Sequence, residues 1–116
     1  MQSGADFPQY TKDLLSLGVL KYDIYVSDGH AEYIGKENHI LKTEAEYPVL
    51  NISSSIDKDK FKQYLKTHQR GETDYFTFCK DSAETGIGKW TVDILAKTCT
   101  YYDKSANFVL EENIPI

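Results

Sequence analysis

Thr73-Asp74-Tyr75-Phe76-Thr77-Phe78-Cys79, then Gly88-Lys89-Trp90-Thr91-Val92-Asp93, then Thr98-Cys99-Thr100-Tyr101-Tyr102-Asp103, ending Glu112-Asn113-Ile114-Pro115, is the stretch that decides the fold class. Its first part repeats with helical period. Tyr75, Phe76, Phe78, Cys79, Ser82 and Ala83 share one face, and Thr77, Lys80, Asp81 and Glu84 share the other, so a helix starts at Thr73 or Asp74 and ends before Gly86. The remainder alternates with period two, as strands with one buried face do. A turn over Leu95 to Thr98 pairs Ile94 with Cys99, Val92 with Tyr101 and Trp90 with Asp103. Asp103 to Asn107 forms the next turn, and Phe108 to Leu110 returns as the last strand, giving a helix followed by a three-stranded antiparallel meander.

Upstream, Asp57 opens a helix that runs to about Gln69 and stops at Gly71, with Phe61, Tyr64, Leu65 and His68 in its core arc. Tyr47 to Ile52 is apolar but contains Pro48, which restricts it to an edge strand or an extended connection. A strand is expected near His39 to Thr43. Before it, Leu20, Tyr22, Ile24 and Val26 alternate with polar neighbours and lead into Asp28-Gly29, a pair suited to a two-residue hairpin turn. That turn sets Val26 opposite Ala31, Ile24 opposite Tyr33 and Tyr22 opposite Gly35. At the start, Phe7, Tyr10, Leu14 and Leu17 follow Asp6, a candidate N-cap, and Gly18 ends that short helix.

Helices segregated from blocks of hairpin-connected strands define an α+β fold: a two-layer sandwich, with an antiparallel sheet carrying about three helices on one face. The 116 residues fit one domain, residues 1–116, because domains commonly run to about 100–150 residues. The other sheet face is then solvated or an interface, and a homodimer through it is one expectation.

The net charge of −5 weighs against nucleic acid as a partner, since phosphate binding needs a basic surface. No apolar run of membrane-spanning length occurs, and the first residues lack the charged and apolar regions of a secretory signal, so the expected address is cytoplasmic. Two cysteines, Cys79 and Cys99, are too few for a disulfide framework or a CxxC zinc site.

The segments quoted at the opening, with Gly18-Val19-Leu20-Lys21-Tyr22, Ser27-Asp28-Gly29-His30 and His68-Gln69-Arg70-Gly71-Glu72-Thr73-Asp74-Tyr75, resemble a bacterial and prophage-associated family of unknown function. Some of its members are labelled phage envelope proteins. The match spans nearly the whole chain. The resemblance implies a two-layer α/β sandwich and supplies no catalytic residues. One departure is Ala106, where the family pattern leads one to expect a turn glycine.

Cys79 invites a nucleophile reading, with His68 and Asp74 nearby in sequence, because a thiol needs a base to become a thiolate. Its place in the middle of an apolar arc favours core packing instead, and Cys99 on the inward face of the last hairpin reads the same way. His68, near the end of its helix, is expected to cap that helix or bond the following loop. Three scattered histidines without HxH or HxxxH spacing carry no metal signal, and no motif calls for a cofactor.

Two candidate sites remain. Lys58, Lys62, Lys66 and Arg70 step by four along one helix, a basic stripe interrupted by Asp59 that would meet a phosphate or an acidic protein partner. Alternatively Cys79, Trp90 and Tyr101 bound a pocket between sheet and helices, where Tyr22 and Tyr33 would add aromatic walls. The preferred expectation is a non-catalytic interaction or regulatory module. The rival is a small enzyme or small-molecule binder.

Overall fold

A computed structural model describes residues 7–114. Three helices, α1 (Phe7–Ser16), α2 (Lys58–Gln69) and α3 (Tyr75–Glu84), accompany six strands: β1 (Val19–Tyr25), β2 (Ala31–Gly35), β3 (Ile40–Lys42), β4 (Ile87–Asp93), β5 (Thr98–Asp103) and β6 (Phe108–Asn113). All six strands form one antiparallel sheet in the order β3-β2-β1-β4-β5-β6. Two three-stranded meanders are thus joined through β1 and β4, with α2 and α3 inserted between them. The α+β expectation holds. Asp6 and Pro115, and the side chain of Phe7, lie outside the described residues.

The helix ends follow local chemistry. Asp57 accepts a hydrogen bond from the Lys60 N–H at 3.1 Å, and Asp74 accepts one from the Thr77 N–H at 2.7 Å, so each carboxylate satisfies an otherwise unpaired donor of the first turn. Gly71 and Gly86 follow the two helices at φ of 77° and 94°, the left-handed geometry of a helix stop.

One face of the sheet carries Tyr22, Ile24, Trp90, Val92, Cys99 and Tyr101, all buried. Every helix packs on that face. Tyr10 of α1 meets Tyr22 edge-on at 5.9 Å between ring centroids, Phe61 of α2 meets Tyr101 at 4.9 Å, and Phe78 of α3 meets Trp90 at 5.5 Å. Such aromatic pairs contribute about 0.5–1.5 kcal/mol each beyond the area they bury. Phe61 is fully buried, so its removal to alanine would cost on the order of 3–5 kcal/mol.

Both hairpins are displaced by two residues from the register predicted above. Ile24 faces Ala31 and Tyr22 faces Tyr33, while Val92 faces Cys99 and Trp90 faces Tyr101. The cause is shared. The Val26 N–H donates to the Gly88 carbonyl at 2.9 Å, and the Ile94 N–H donates to the Leu20 carbonyl at 3.0 Å. Each residue beside a turn therefore extends the central β1–β4 pair instead of closing its own hairpin. At the first turn only Gly29 takes a positive φ, of 76°. Asp28 uses its carboxylate to accept the His30 N–H at 3.0 Å. A shift of two preserves which face each side chain occupies, so the core set is unchanged.

Candidate functional site: an aromatic cleft under the first meander

The segment from Thr43 to Asp57, which links the two halves of the chain, runs as an extended connection held by backbone hydrogen bonds. The Thr43 N–H donates to Ala31 O at 2.8 Å, the Glu46 N–H to Asp28 O at 2.8 Å, and the Leu50 N–H to Ser27 O at 2.6 Å. These bonds hold the segment beside the β1–β2 turn, and they turn Tyr47 inward, where its hydroxyl donates to the Val26 carbonyl at 2.6 Å. Gly29 leaves the space that the ring requires: a Cβ there would stand 2.6 Å from Cε2 of Tyr47.

Between this segment, α1, the first turn of α3 and the inward face of β1, β2 and β4 lies a half-open cleft of about 550 Å³. The sheet contributes Tyr22, Tyr33 and Trp90 as its floor. Tyr10 closes it from α1, Tyr47 from the connection, and Tyr75 and Phe76 from α3. The rings brace one another: Tyr22 against Tyr33 at 5.5 Å, Tyr47 against Phe76 at 5.0 Å, and Tyr75 edge-on to Trp90 at 6.3 Å. The hydroxyls of Tyr10 and Tyr33 share a 2.5 Å hydrogen bond, and Glu46 and Asp74 also line the cleft.

Burial raises the phenols of Tyr10, Tyr47 and Tyr75 far above the usual tyrosine value, so the walls present neutral O–H groups. Asp74 is held below the ordinary carboxylate range by the Thr77 N–H and stays ionised. Cys79 and Cys99 are buried and free of disulfide. Burial pushes the Cys79 thiol up to about 11 and the Cys99 thiol up to about 12. Both thiols are therefore protonated at neutral pH, the unreactive form.

Of the sequence-derived pocket set, Trp90 lines the cleft, together with Tyr22 and Tyr33; Cys79 and Tyr101 pack in the core beside it. Sequence reasoning passed over Tyr10, Tyr47, Tyr75 and Phe76 as cleft walls. The one signal for Phe76 was its place at the edge of the α3 apolar arc, where it is 42% exposed and carries the Lys80 ammonium 4.8 Å from its ring centroid. His68 bonds the following loop through Nδ1, 3.3 Å from both Thr73 O and Thr73 Oγ1, and its ring stacks on Phe78 at 4.4 Å.

Lys58, Lys62 and Lys66 on α2 and Arg70 at its C-cap are all exposed. Arg70 pairs with Glu72, and the adjacent Lys60 pairs with Glu84 across to α3 at 2.8 Å. Lys58, Lys62 and Lys66 have no ion-pair partner among the described residues. Among those residues, too, no three His, Cys, Asp or Glu side chains gather as a metal site, and no helix is long and apolar enough to cross a membrane.

The fold and the cleft define a two-layer α+β protein with an aromatic-walled cavity between an antiparallel sheet and its helices. The chain belongs to the family described as protein of unknown function (DUF1398), whose model matches residues 1–113. No curated protein matches the sequence.

Proposed function

We propose that this protein is a non-catalytic binding module of bacterial or prophage origin that holds a small, flat, largely apolar molecule in the aromatic cleft. The observation that carries the reading is a cavity of about 550 Å³ bordered, among the described residues, by seven aromatic side chains. Ligand sites commonly occupy about 300–1,000 Å³ and combine apolar walls with a few polar groups, here the phenols and two carboxylates. The reading departs from a protein-docking role for the open sheet face because that face is engaged in its own cross-strand contacts. Thr91 Oγ1 donates to Asp23, Tyr25 O–H to Glu32 and Thr100 Oγ1 to Glu111, while the Lys89 ammonium lies near the rings of both Tyr25 and Tyr102.

Trp90 is the chain's single tryptophan and lines the cleft, which makes its fluorescence a built-in reporter. Titration with a panel of planar aromatic compounds should give a saturable change in Trp90 emission. Ala31→Leu, which fills the cleft from β2, should abolish that change while the fold persists by circular dichroism. A panel without any saturable change, or one unaffected by Ala31→Leu, contradicts the proposal.

A second reading keeps the α2 stripe as a contact for an acidic protein partner, supported by the ammonium groups of Lys58, Lys62 and Lys66, which have no ion-pair partner among the described residues. Charge reversal at Lys62, Lys66 and Arg70 should then abolish partner capture. Unchanged capture removes this reading. A cytoplasmic address belongs to the same set of proposals.

A further inference from the structure

Ligand charge is written into the composition of the cleft wall. No lysine, arginine or histidine is among its fourteen described lining residues, whereas Glu46 and Asp74 both are. Glu46 has no ion-pair partner among the described residues, and its carboxylate is close enough to the phenols of Tyr10 and Tyr47 to oppose their ionisation. The aromatic faces act in the same direction, since the quadrupole of each ring favours a cation over its face. Phe76 already shows this preference by holding the Lys80 ammonium. An anionic ligand would find two carboxylates among the described lining residues, and the ammonium beside them, Lys80 on the Phe76 ring, is not one of those residues. The chain's net charge of −5 would repel it further at long range.

We infer that the cleft selects cationic planar aromatic molecules, with the ring system held between Tyr33, Tyr47 and Trp90 and the positive charge placed toward Glu46 and Asp74. This rests on the cleft being a ligand site, and it excludes nucleotides, phosphorylated compounds and aromatic acids as its natural occupants.

Three probes with one ring system and different charge separate the two claims: N-methylacridinium, neutral acridine, and acridine-9-carboxylate, titrated by calorimetry near neutral pH into wild type, Ala31→Leu, and the double variant Glu46→Gln/Asp74→Asn. Asn is as good an N-cap as Asp, so the double variant removes charge while keeping α3 capped. The cation should bind wild type about ten-fold or more tighter than neutral acridine, with an affinity that falls as salt rises. The carboxylate should bind weakest, and the double variant should remove most of the cation's advantage over the neutral probe, leaving only the smaller part that the ring faces supply. Comparable binding of all three probes that is lost in Ala31→Leu overturns the charge selection and leaves the cleft as a site. A cation preference undiminished in the double variant also overturns it. Failure of all three probes to bind overturns the charge selection and the cleft reading together.

Discussion

The hydroxyl of Tyr10 on α1 and that of Tyr33 on β2 meet at 2.5 Å, a bond that ties the first helix to the sheet at the wall of the cleft. Two phenols hold two protons and this bond uses one, so the other O–H is available to donate to an oxygen or nitrogen of a bound molecule. Tyr10→Phe and Tyr33→Phe should each cost about 1 kcal/mol of stability, with the double variant costing less than the sum because the partners share one interaction. Urea denaturation of the four proteins checks this, and strict additivity would contradict it.

Two backbone positions should respond with opposite signs. Gly29→Ala puts a Cβ at φ of 76° and within 2.6 Å of the Tyr47 ring, so it should destabilise by about 2 kcal/mol and disturb the cleft wall. Ala106 already sits at φ of 65° in the exposed turn before β6, where the family pattern led to the expectation of glycine. Ala106→Gly should stabilise by roughly 0.5 kcal/mol, since relief of left-handed strain exceeds the added freedom of the unfolded chain. Thermal melts of both variants test the pair of signs.

Both thiols should be slow to react in the native protein. Cys79 is fully buried and its thiol is raised to about 11, and Cys99 is nearly as buried. A thiol-disulfide exchange reagent should release little chromophore until denaturant is added, and then two equivalents. Rapid release of one equivalent from folded wild type that is lost in Cys79→Ser would mean that Cys79 opens to the cleft.

His68 should make stability depend on mildly acidic pH. Burial lowers its imidazole below the ordinary value of 6.5, the opposite of what its place near a helix C-terminus alone would produce. The unfolded chain then binds a proton that the folded chain refuses, so stability is retained above about 6.5 and falls as pH drops through the window beneath it. The half-buried carboxyl of Glu112 is raised and contributes with the opposite sign, so the comparison that isolates the imidazole is wild type against His68→Gln. The loss of urea midpoint from about pH 7 to about pH 5.5 should be smaller in the variant than in wild type.

Much of this architecture was legible in the order of residues. The caps at Asp57 and Asp74 and the stops at Gly18, Gly71 and Gly86 locate the helices, and alternation assigns Tyr22, Trp90 and Tyr101 to the inward face. Strand register was not legible. It depends on where Val26 and Ile94 send their N–H groups, and the partners, Gly88 and Leu20, are remote in sequence. The cleft was legible only in its floor. Tyr47 faces inward because the Thr43–Leu50 backbone is fastened to the β1–β2 turn, a tertiary arrangement that no periodicity announces. Phe76 is predicted to be core by its wheel, yet it stands at the cleft wall because Tyr47 covers only part of its ring.

The most direct test of the account is a chemical-shift map of the ¹⁵N-labelled protein titrated with N-methylacridinium. The account predicts saturable shifts concentrated at the amides of Tyr22, Gly29, Tyr33, Tyr47, Phe76 and the Trp90 indole. Shifts confined to Lys58 through Arg70 on α2, or to Tyr25, Thr91 and Tyr102 on the open sheet face, would contradict it.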